Sequence, residues 1–260
     1  MEKIMQKLTG TSNGKFSGKV AVIIGGTSGM GLATAKMLLD GGARVLVTGR
    51  SQAGLESAQK ELGKDALVVS SDARSLTDVD ALASRVKAEF DTFDLLFVNA
   101  GFSTKAPVES MTEALYDEMF NLNAKGPIFA VQKLAPLINR GGAIVFTTSI
   151  ANVKGMPGNA AYSGAKAALR SFARILATEL LPREIRVNCV SPGPIDTPII
   201  GKMFSDKDAA AQLREKMTAM TPMKRFGTSD EIAKAVLFLA FDATFTTGAE
   251  LPVDGGWTQL

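Results

Sequence analysis

Tyr162 and Lys166 stand four residues apart in the run Ala161-Tyr162-Ser163-Gly164-Ala165-Lys166, Ser149 lies upstream, and the 260-residue chain contains no histidine. Histidine is the usual side-chain acid or base near neutral pH, so proton transfer in this chain falls to another group. Positions i and i+4 of a helix share one face, so a Lys166 ammonium beside the Tyr162 phenol would favour the phenolate and make the two an acid–base couple. Tyr-x-x-x-Lys alone is a short pattern that chance supplies easily, and its meaning depends on its company. The missing histidines and the lone Cys189 exclude Ser-His-Asp hydrolysis and the ordinary zinc ligand sets; a single cysteine also excludes an intrachain disulfide.

A second cluster of chemistry-bearing residues lies near the start of the chain. The apolar run Val20-Ala21-Val22-Ile23-Ile24 leads directly into Gly25-Gly26-Thr27-Ser28-Gly29-Met30-Gly31, after which helical periodicity begins. Glycines at a strand-to-helix turn let backbone N–H groups approach a pyrophosphate, whose charge then sits at the positive end of the helix. The next strand ends in Thr48-Gly49-Arg50-Ser51, where a chain selective for NAD would carry a carboxylate for the ribose hydroxyls. Gly49 leaves room there and the Arg50 guanidinium can fork onto a 2′-phosphate, so the expected cofactor is NADP(H) rather than NAD(H).

These residues need a scaffold, and the hydrophobic pattern supplies one. From Lys19 onward, short β-branched runs at 20–24, 45–48, 67–70, 95–98, 144–148, 186–190 and 250–253 alternate with helical periodicity at 30–40, 53–62, 76–90, 112–138, 160–181 and 229–241. Such alternation predicts an α/β chain: a single-domain, Rossmann-type, doubly wound fold with a seven-stranded parallel sheet and helices on both faces. Residues 1–16 read as a flexible extension and 17–260 as the domain. Residues 197–225 break the rhythm, carrying two prolines, four methionines and charges of both signs; they read either as a mobile lid or as a surface helical hairpin.

At 46% hydrophobic content the chain can bury a full core, and its net charge of +3, spread along the sequence, gives no basic stripe for nucleic acid or an anionic membrane. No apolar run reaches the length of a membrane span, and the first sixteen residues lack an apolar signal core. The expected partner is a small molecule and the expected setting cytoplasmic, with no metal.

In order along the chain, the Gly25 to Gly31 turn, Val98-Asn99-Ala100-Gly101, Asn123, Ser149 and Tyr162-x-x-x-Lys166 resemble the short-chain dehydrogenase/reductase family, from about Lys19 to Leu260. The segment Pro192-Gly193-Pro194-Ile195-Asp196-Thr197 and the ending Val253-Asp254-Gly255-Gly256 add to the resemblance. It implies that Asn123 sits at a helix kink and holds a water linked to Lys166, that Ser149 binds the substrate oxygen, that Tyr162 exchanges the proton, and that Lys166 holds the nicotinamide ribose. It further implies that Asp72 contacts the adenine amine with Ala73 beside it, that Asn99, Ala100 and Gly101 form the cofactor floor, and that Ile195 and Thr197, after Pro192 and Gly193, fix the carboxamide and phosphates. Asn121 competes with Asn123, which is preferred for its place before Ala124-Lys125-Gly126. Ile24 stands where the family pattern has Thr, removing a hydroxyl that would brace the turn, and Val98 stands for its first Asn. Ser28 is not the basic residue some NADP-preferring relatives carry, which leaves Arg50 to bear that preference.

The chemistry implied is hydride transfer between a nicotinamide and a carbonyl carbon, with Tyr162 giving or taking the oxygen's proton. Residues placed to face the substrate are Phe102, Ile150, Asn152, Met156, Pro157, Met203 and Phe204, a mostly apolar set that suits a neutral, bulky ketone or secondary alcohol. A carrier-bound 3-oxoacyl chain is the enzymatic alternative, and a non-catalytic NADP(H) sensor or scaffold the other. The resemblance also implies a homotetramer built on the helices of Asn123 and Tyr162 and on the C-terminal strand, where Trp257 follows.

Overall fold

The computed structural model describes residues 14–197 and 207–260. Seven parallel strands form one sheet in the order β3-β2-β1-β4-β5-β6-β9, from β1 (Val20–Ile24), β2 (Arg44–Gly49), β3 (Ala66–Ser70), β4 (Phe93–Val98), β5 (Ile138–Thr147), β6 (Arg186–Pro192) and β9 (Glu250–Val253). A separate two-stranded pair, β7 (Ile195–Asp196) and β8 (Gly227–Thr228), lies between β6 and β9 in the chain. The helices are α1 (Gly29–Asp40), α2 (Gln52–Leu62), α3 (Leu76–Phe90), α4 (Glu113–Phe120), α5 (Gly126–Leu134), α6 (Ala160–Glu179), α7 (Lys207–Met220) and α8 (Ser229–Leu237). This is the doubly wound architecture that the alternating pattern predicts.

Parallel strands are covered on both faces, which explains their unbroken apolar sequences. Alternate side chains divide between two cores. Val22, Ile24, Leu96 and Phe146 pack with Val79 and Leu82 of α3, Leu134 of α5 and Leu169 of α6; Ile23, Val45, Phe97 and Val145 pack on the other face with Leu38 of α1 and Ile232 and Val236 of α8. Each large apolar side chain so buried contributes about 1.5–3 kcal/mol against the entropy of ordering the chain. The strand order reverses between β1 and β4, and the chain leaving both strands at their C-terminal ends opens a crevice there, the place where doubly wound folds bind ligands.

Four sequence expectations need correction. Residues 112–138 do not form one helix: a π-turn at Asn121–Lys125 separates α4 from α5, and a 3-10 turn at Ala135–Leu137 precedes β5. The strand expected at 144–148 begins earlier, at Ile138, the residue expected to close the preceding helix: Phe93 pairs with Ile138 before a register shift carries Leu95 to Ala143. Within residues 197–225, the 14-residue helix α7 accords with the helical alternative given for that segment. Phe16 is not part of a free extension: it is buried against Phe241, ring centroids 5.1 Å apart, and its N–H donates to the Gly41 carbonyl at 2.8 Å. The helix expected at 229–241 is regular only to Leu237, where a π-turn at Phe238–Asp242 takes over; the remaining boundaries fall within two residues of those found. No helix among the described residues is long and apolar enough to cross a membrane.

Candidate active site

The crevice beyond β1 and β4 holds a cleft of about 320 Å³. Its first wall is the glycine turn. Gly25 has φ +81°, which a side chain disfavours, and a Cβ on Gly31 would lie 2.2 Å from the Gly25 carbonyl oxygen, so the turn closes only with glycine at both places. The hydroxyl missing at Ile24 is replaced from the next strand, because Thr48 Oγ1 accepts the Gly25 N–H at 3.2 Å. Asn99 secures the other side: its Nδ2 donates to the Gly25 carbonyl at 2.8 Å, and its Oδ1 accepts from Thr147 Oγ1 at 3.0 Å. Ser28 caps α1 without a side-chain bond to it, and no acidic residue lies in the first turn, which leaves the N–H groups at this helix end facing the cleft beside Thr27, Gly29 and Met30.

The second wall carries the proton-transfer candidates. Tyr162 and Lys166 both line the cleft from α6. Lys166 is fully buried and its Nζ donates to the Thr147 carbonyl at 2.8 Å, 5.8 Å from the centre of the Tyr162 ring. Burial lowers the Lys166 ammonium to about 8. Burial also pushes the Tyr162 phenol up, with the Ser149 hydroxyl beside it pulling the other way. The sequence reading expects the lysine to lower the phenol; in the ligand-free protein burial is the larger influence and Ser149 the opposing one. Ser149, half-buried, stands two residues beyond the end of β5 and opens a short 3-10 turn, where its Oγ accepts the Ala151 N–H at 3.2 Å.

Asn123 occupies the π-turn. The wider turn exposes helix carbonyls to a side chain, and Asn123 Nδ2 donates to the Met119 and Phe102 carbonyls, both at 3.0 Å. Its Oδ1 is buried without a partner among the described residues, and a Cβ built on Gly101 would sit 2.8 Å from that oxygen and 3.2 Å from Lys166 Nζ. Asn123, Gly101 and Lys166 therefore meet at one point. Asn121, the competing amide, is half-buried.

At the far end of the cleft, Arg50 and Ala73 line the wall together with Gly49, while Asp72 turns to its neighbour Arg74. Arg74 Nη2 donates to Asp72 Oδ2 at 2.7 Å and its backbone N–H to Oδ1 at 2.9 Å, which holds the carboxyl below its ordinary range. Ser51 is the cap of α2 and accepts the Gly54 N–H.

Not every expected residue reaches this cleft. Thr197 does, adjoining Asp196, whose carboxylate pairs with both Arg214 Nη atoms of α7 at 3.0 and 2.9 Å. Pro192 is buried in β6, a Cβ on Gly193 would meet Asp254, and Ile195 lies in β7 lining a neighbouring cavity of about 310 Å³ with Val253 and Gly255. Among the substrate-facing candidates, Phe102 lines the cleft, Ile150 is buried, and Asn152 is drawn to Glu250 at 2.6 Å. Met156 and Pro157 line a separate cavity of about 570 Å³, and Met203 and Phe204 lie outside the described residues. Tyr116 stacks on Phe120, centroids 4.4 Å apart, away from the cleft. Sequence reasoning missed Thr48, Ser71, Ser103, Leu122 and Thr147 as cleft residues; only Thr48 and Thr147, polar residues ending apolar strands, carried a signal.

Three comparisons with known proteins bear on this geometry. A family model described as enoyl-(acyl carrier protein) reductase matches residues 25–258. An oxidoreductase of Sarocladium schorii is 37% identical over 250 residues, covering 95% of this chain and 98% of the relative. A cis-4-hydroxycyclohexanecarboxylate dehydrogenase of Sinomonas cyclohexanicum is 35% identical, covering 94% and 98%, and a 3-oxoacyl-(acyl-carrier-protein) reductase of Chlamydia trachomatis serovar D is 34% identical, covering 94% and 99%. The crystal structure of a levodione reductase superposes with a TM-score of 0.87 at 31% identity, covering 93% of this chain and 98% of its own. Fold, motif order and these matches agree, and the chain belongs to the short-chain dehydrogenase/reductase family of oxidoreductases.

Proposed function

We propose that the protein is an NADP(H)-dependent oxidoreductase that interconverts ketones and secondary alcohols, with Tyr162 as the proton-transfer group. The observation that carries this reading is that Tyr162 and Lys166 share one cleft with the glycine turn and Arg50. The family uses nicotinamide dinucleotides, and the residues present suit one. Glycines too crowded for a Cβ, uncapped helix N–H groups and the buried, partnerless Asn123 Oδ1 are features that a bound dinucleotide and its solvent would satisfy.

The cofactor supplies hydride chemistry when bound. This chain's residues supply the proton and the geometry. Burial keeps the Tyr162 phenol protonated at neutral pH, the form that reduction needs, and the Ser149 hydroxyl stands beside it to meet the substrate oxygen as charge develops. Lys166, fixed by Thr147 and adjoining Gly101, holds positive charge near the phenol, and Asn123 braces the Gly101–Phe102 wall through the Phe102 carbonyl. In this reading residues 17–260 act as one domain with α7 as its lid, and the Asp196–Arg214 pair ties that lid to the strand next to Thr197. Tyr116 on α4 and Phe172 and Ile175 on α6 are exposed apolar residues, which supports association into a homotetramer through these helices.

The test is a panel of ketones, including a carrier-bound 3-oxoacyl substrate, with NADPH and NADH consumption followed in parallel. Turnover with NADPH on free ketones, abolished in Tyr162→Phe while NADPH still binds, is the expected result. Turnover confined to the carrier-bound substrate would move the assignment to a 3-oxoacyl reductase. Tight NADPH binding with no turnover on any substrate would make the protein a sensor.

A further inference from the structure

Arg50, which lines the cleft, belongs to a group of four charged side chains with Asp72, Arg74 and Glu118. Asp72 lies between two arginines, but unequally. Arg74 engages both of its oxygens: the backbone N–H and Nε reach Oδ1 at 2.9 and 3.1 Å, and Nε and Nη2 reach Oδ2 at 3.1 and 2.7 Å. A carboxylate offers about four lone-pair directions, and three N–H groups of Arg74, with Nε shared between the two oxygens, occupy most of them. Arg50 Nη1 is 3.8 Å from Oδ2, beyond hydrogen-bond reach, and Arg50 makes no hydrogen bond to any described residue. Glu118 completes the group, 3.5 Å from Arg74 Nη1. All four side chains are partly exposed, so their interactions are moderate and screened.

This arrangement answers a difficulty in the cofactor reading. A carboxylate this close to Arg50 should either capture its guanidinium in a forked pair or repel an incoming phosphate. With Arg74 holding both oxygens of Asp72, Arg50 keeps only a 3.8 Å charge contact with it, forms no forked pair, and lines the cleft. We propose that Arg74 is a specificity-determining positioning residue: it occupies Asp72 and thereby leaves Arg50 available to a 2′-phosphate. The inference rests on the NADP(H) reading above and adds a residue that acts through another without touching the ligand.

The test uses the full chain and two probes that lack the nicotinamide, 2′,5′-ADP and 5′-AMP, titrated calorimetrically. The quantity read is the ratio of their affinities. Wild-type protein prefers 2′,5′-ADP. Arg74→Ala lowers the ratio about three- to tenfold, the scale of one partly exposed charge interaction, by weakening 2′,5′-ADP and leaving 5′-AMP nearly unchanged. Arg74→Lys, which keeps a charge beside Asp72, retains most of the ratio. Asp72→Asn holds or raises it, and Arg74→Ala added to Asp72→Asn changes nothing further. An equal loss in both probes, an unchanged ratio, or the same fall in the Asp72→Asn background would overturn the inference. Should Arg74→Ala not fold, a ratio lowered by Asp72→Asn alone would overturn it too. Wild-type protein with no preference for 2′,5′-ADP would instead sink the cofactor reading on which it stands.

Discussion

Replacing the buried lysine of the candidate site should make the protein more stable. Lys166 sits in the interior with one hydrogen bond, to the Thr147 carbonyl at 2.8 Å, and burial brings its ammonium from 10.5 to about 8. At about 1.4 kcal/mol per pH unit, holding that charge costs the folded state about 3 kcal/mol at neutral pH. In Lys166→Met the cost vanishes and the stem is replaced at similar length, while the Thr147 carbonyl loses its donor at about 1 kcal/mol. The balance is a gain of about 2 kcal/mol, or about 4 to 8 °C in melting temperature for a domain of this size. The sign with pH is fixed: the folded value is depressed, so between about 8 and 10.5 the unfolded wild-type chain binds more protons than the folded one. Wild-type stability therefore rises relative to the variant across that window, by about 2 to 3 kcal/mol between pH 7 and pH 10, and the variant's advantage is gone by pH 10. Thermal unfolding of ligand-free wild type and Lys166→Met at pH 7 and pH 10 makes the measurement. A variant less stable than wild type at pH 7, or an advantage that does not change with pH, would refute the reasoning.

Gly31→Ala places a Cβ 2.2 Å from the Gly25 carbonyl oxygen and 2.9 Å from Asn99 Nδ2, so the turn must open. Stability should fall by about 1–3 kcal/mol and dinucleotide affinity by at least about tenfold; calorimetric binding at wild-type strength would show that the turn does not hold the ligand. Burial pushes the Cys189 thiol up to about 12, so the folded protein at pH 8 should react with iodoacetamide about a thousandfold more slowly than the unfolded chain. Rapid single-site labelling of native protein, read by mass spectrometry, would contradict that.

The sheet was legible because parallel strands are buried on both faces and so appear as uninterrupted apolar runs; β1 and β9 match their expected limits. β5 was half-hidden, since Gly141 and Gly142 look like a turn and the strand crosses them only through a register shift against β4. The break at Asn121–Lys125 left no mark on periodicity, because a π-turn adds a single residue to a helix whose apolar spacing continues on either side. α7 was obscured by mixed charge and flanking prolines, and its tie to Asp196 joins residues eighteen positions apart, a distance at which sequence gives no pairing rule. In the site, motifs set by local geometry, the glycine turn and the Tyr162–Lys166 couple, were readable. Arg74 was not, because its meaning lies in which oxygens of Asp72 it fills.

The π-turn has a consequence for how this segment can vary. A π-turn is an α-helix with one surplus residue, so removing any one of the five residues of Asn121–Lys125 would let α4 and α5 fuse into a regular helix. Because the π-turn already absorbs the surplus residue, α4 and α5 would keep their faces to the core while the widened turn closed. Asn123 Nδ2 would lose the geometry that lets it reach the Met119 and Phe102 carbonyls together. Length is therefore a constraint on this stretch beside lettering: a frame of five residues cannot be shortened to four without releasing Asn123.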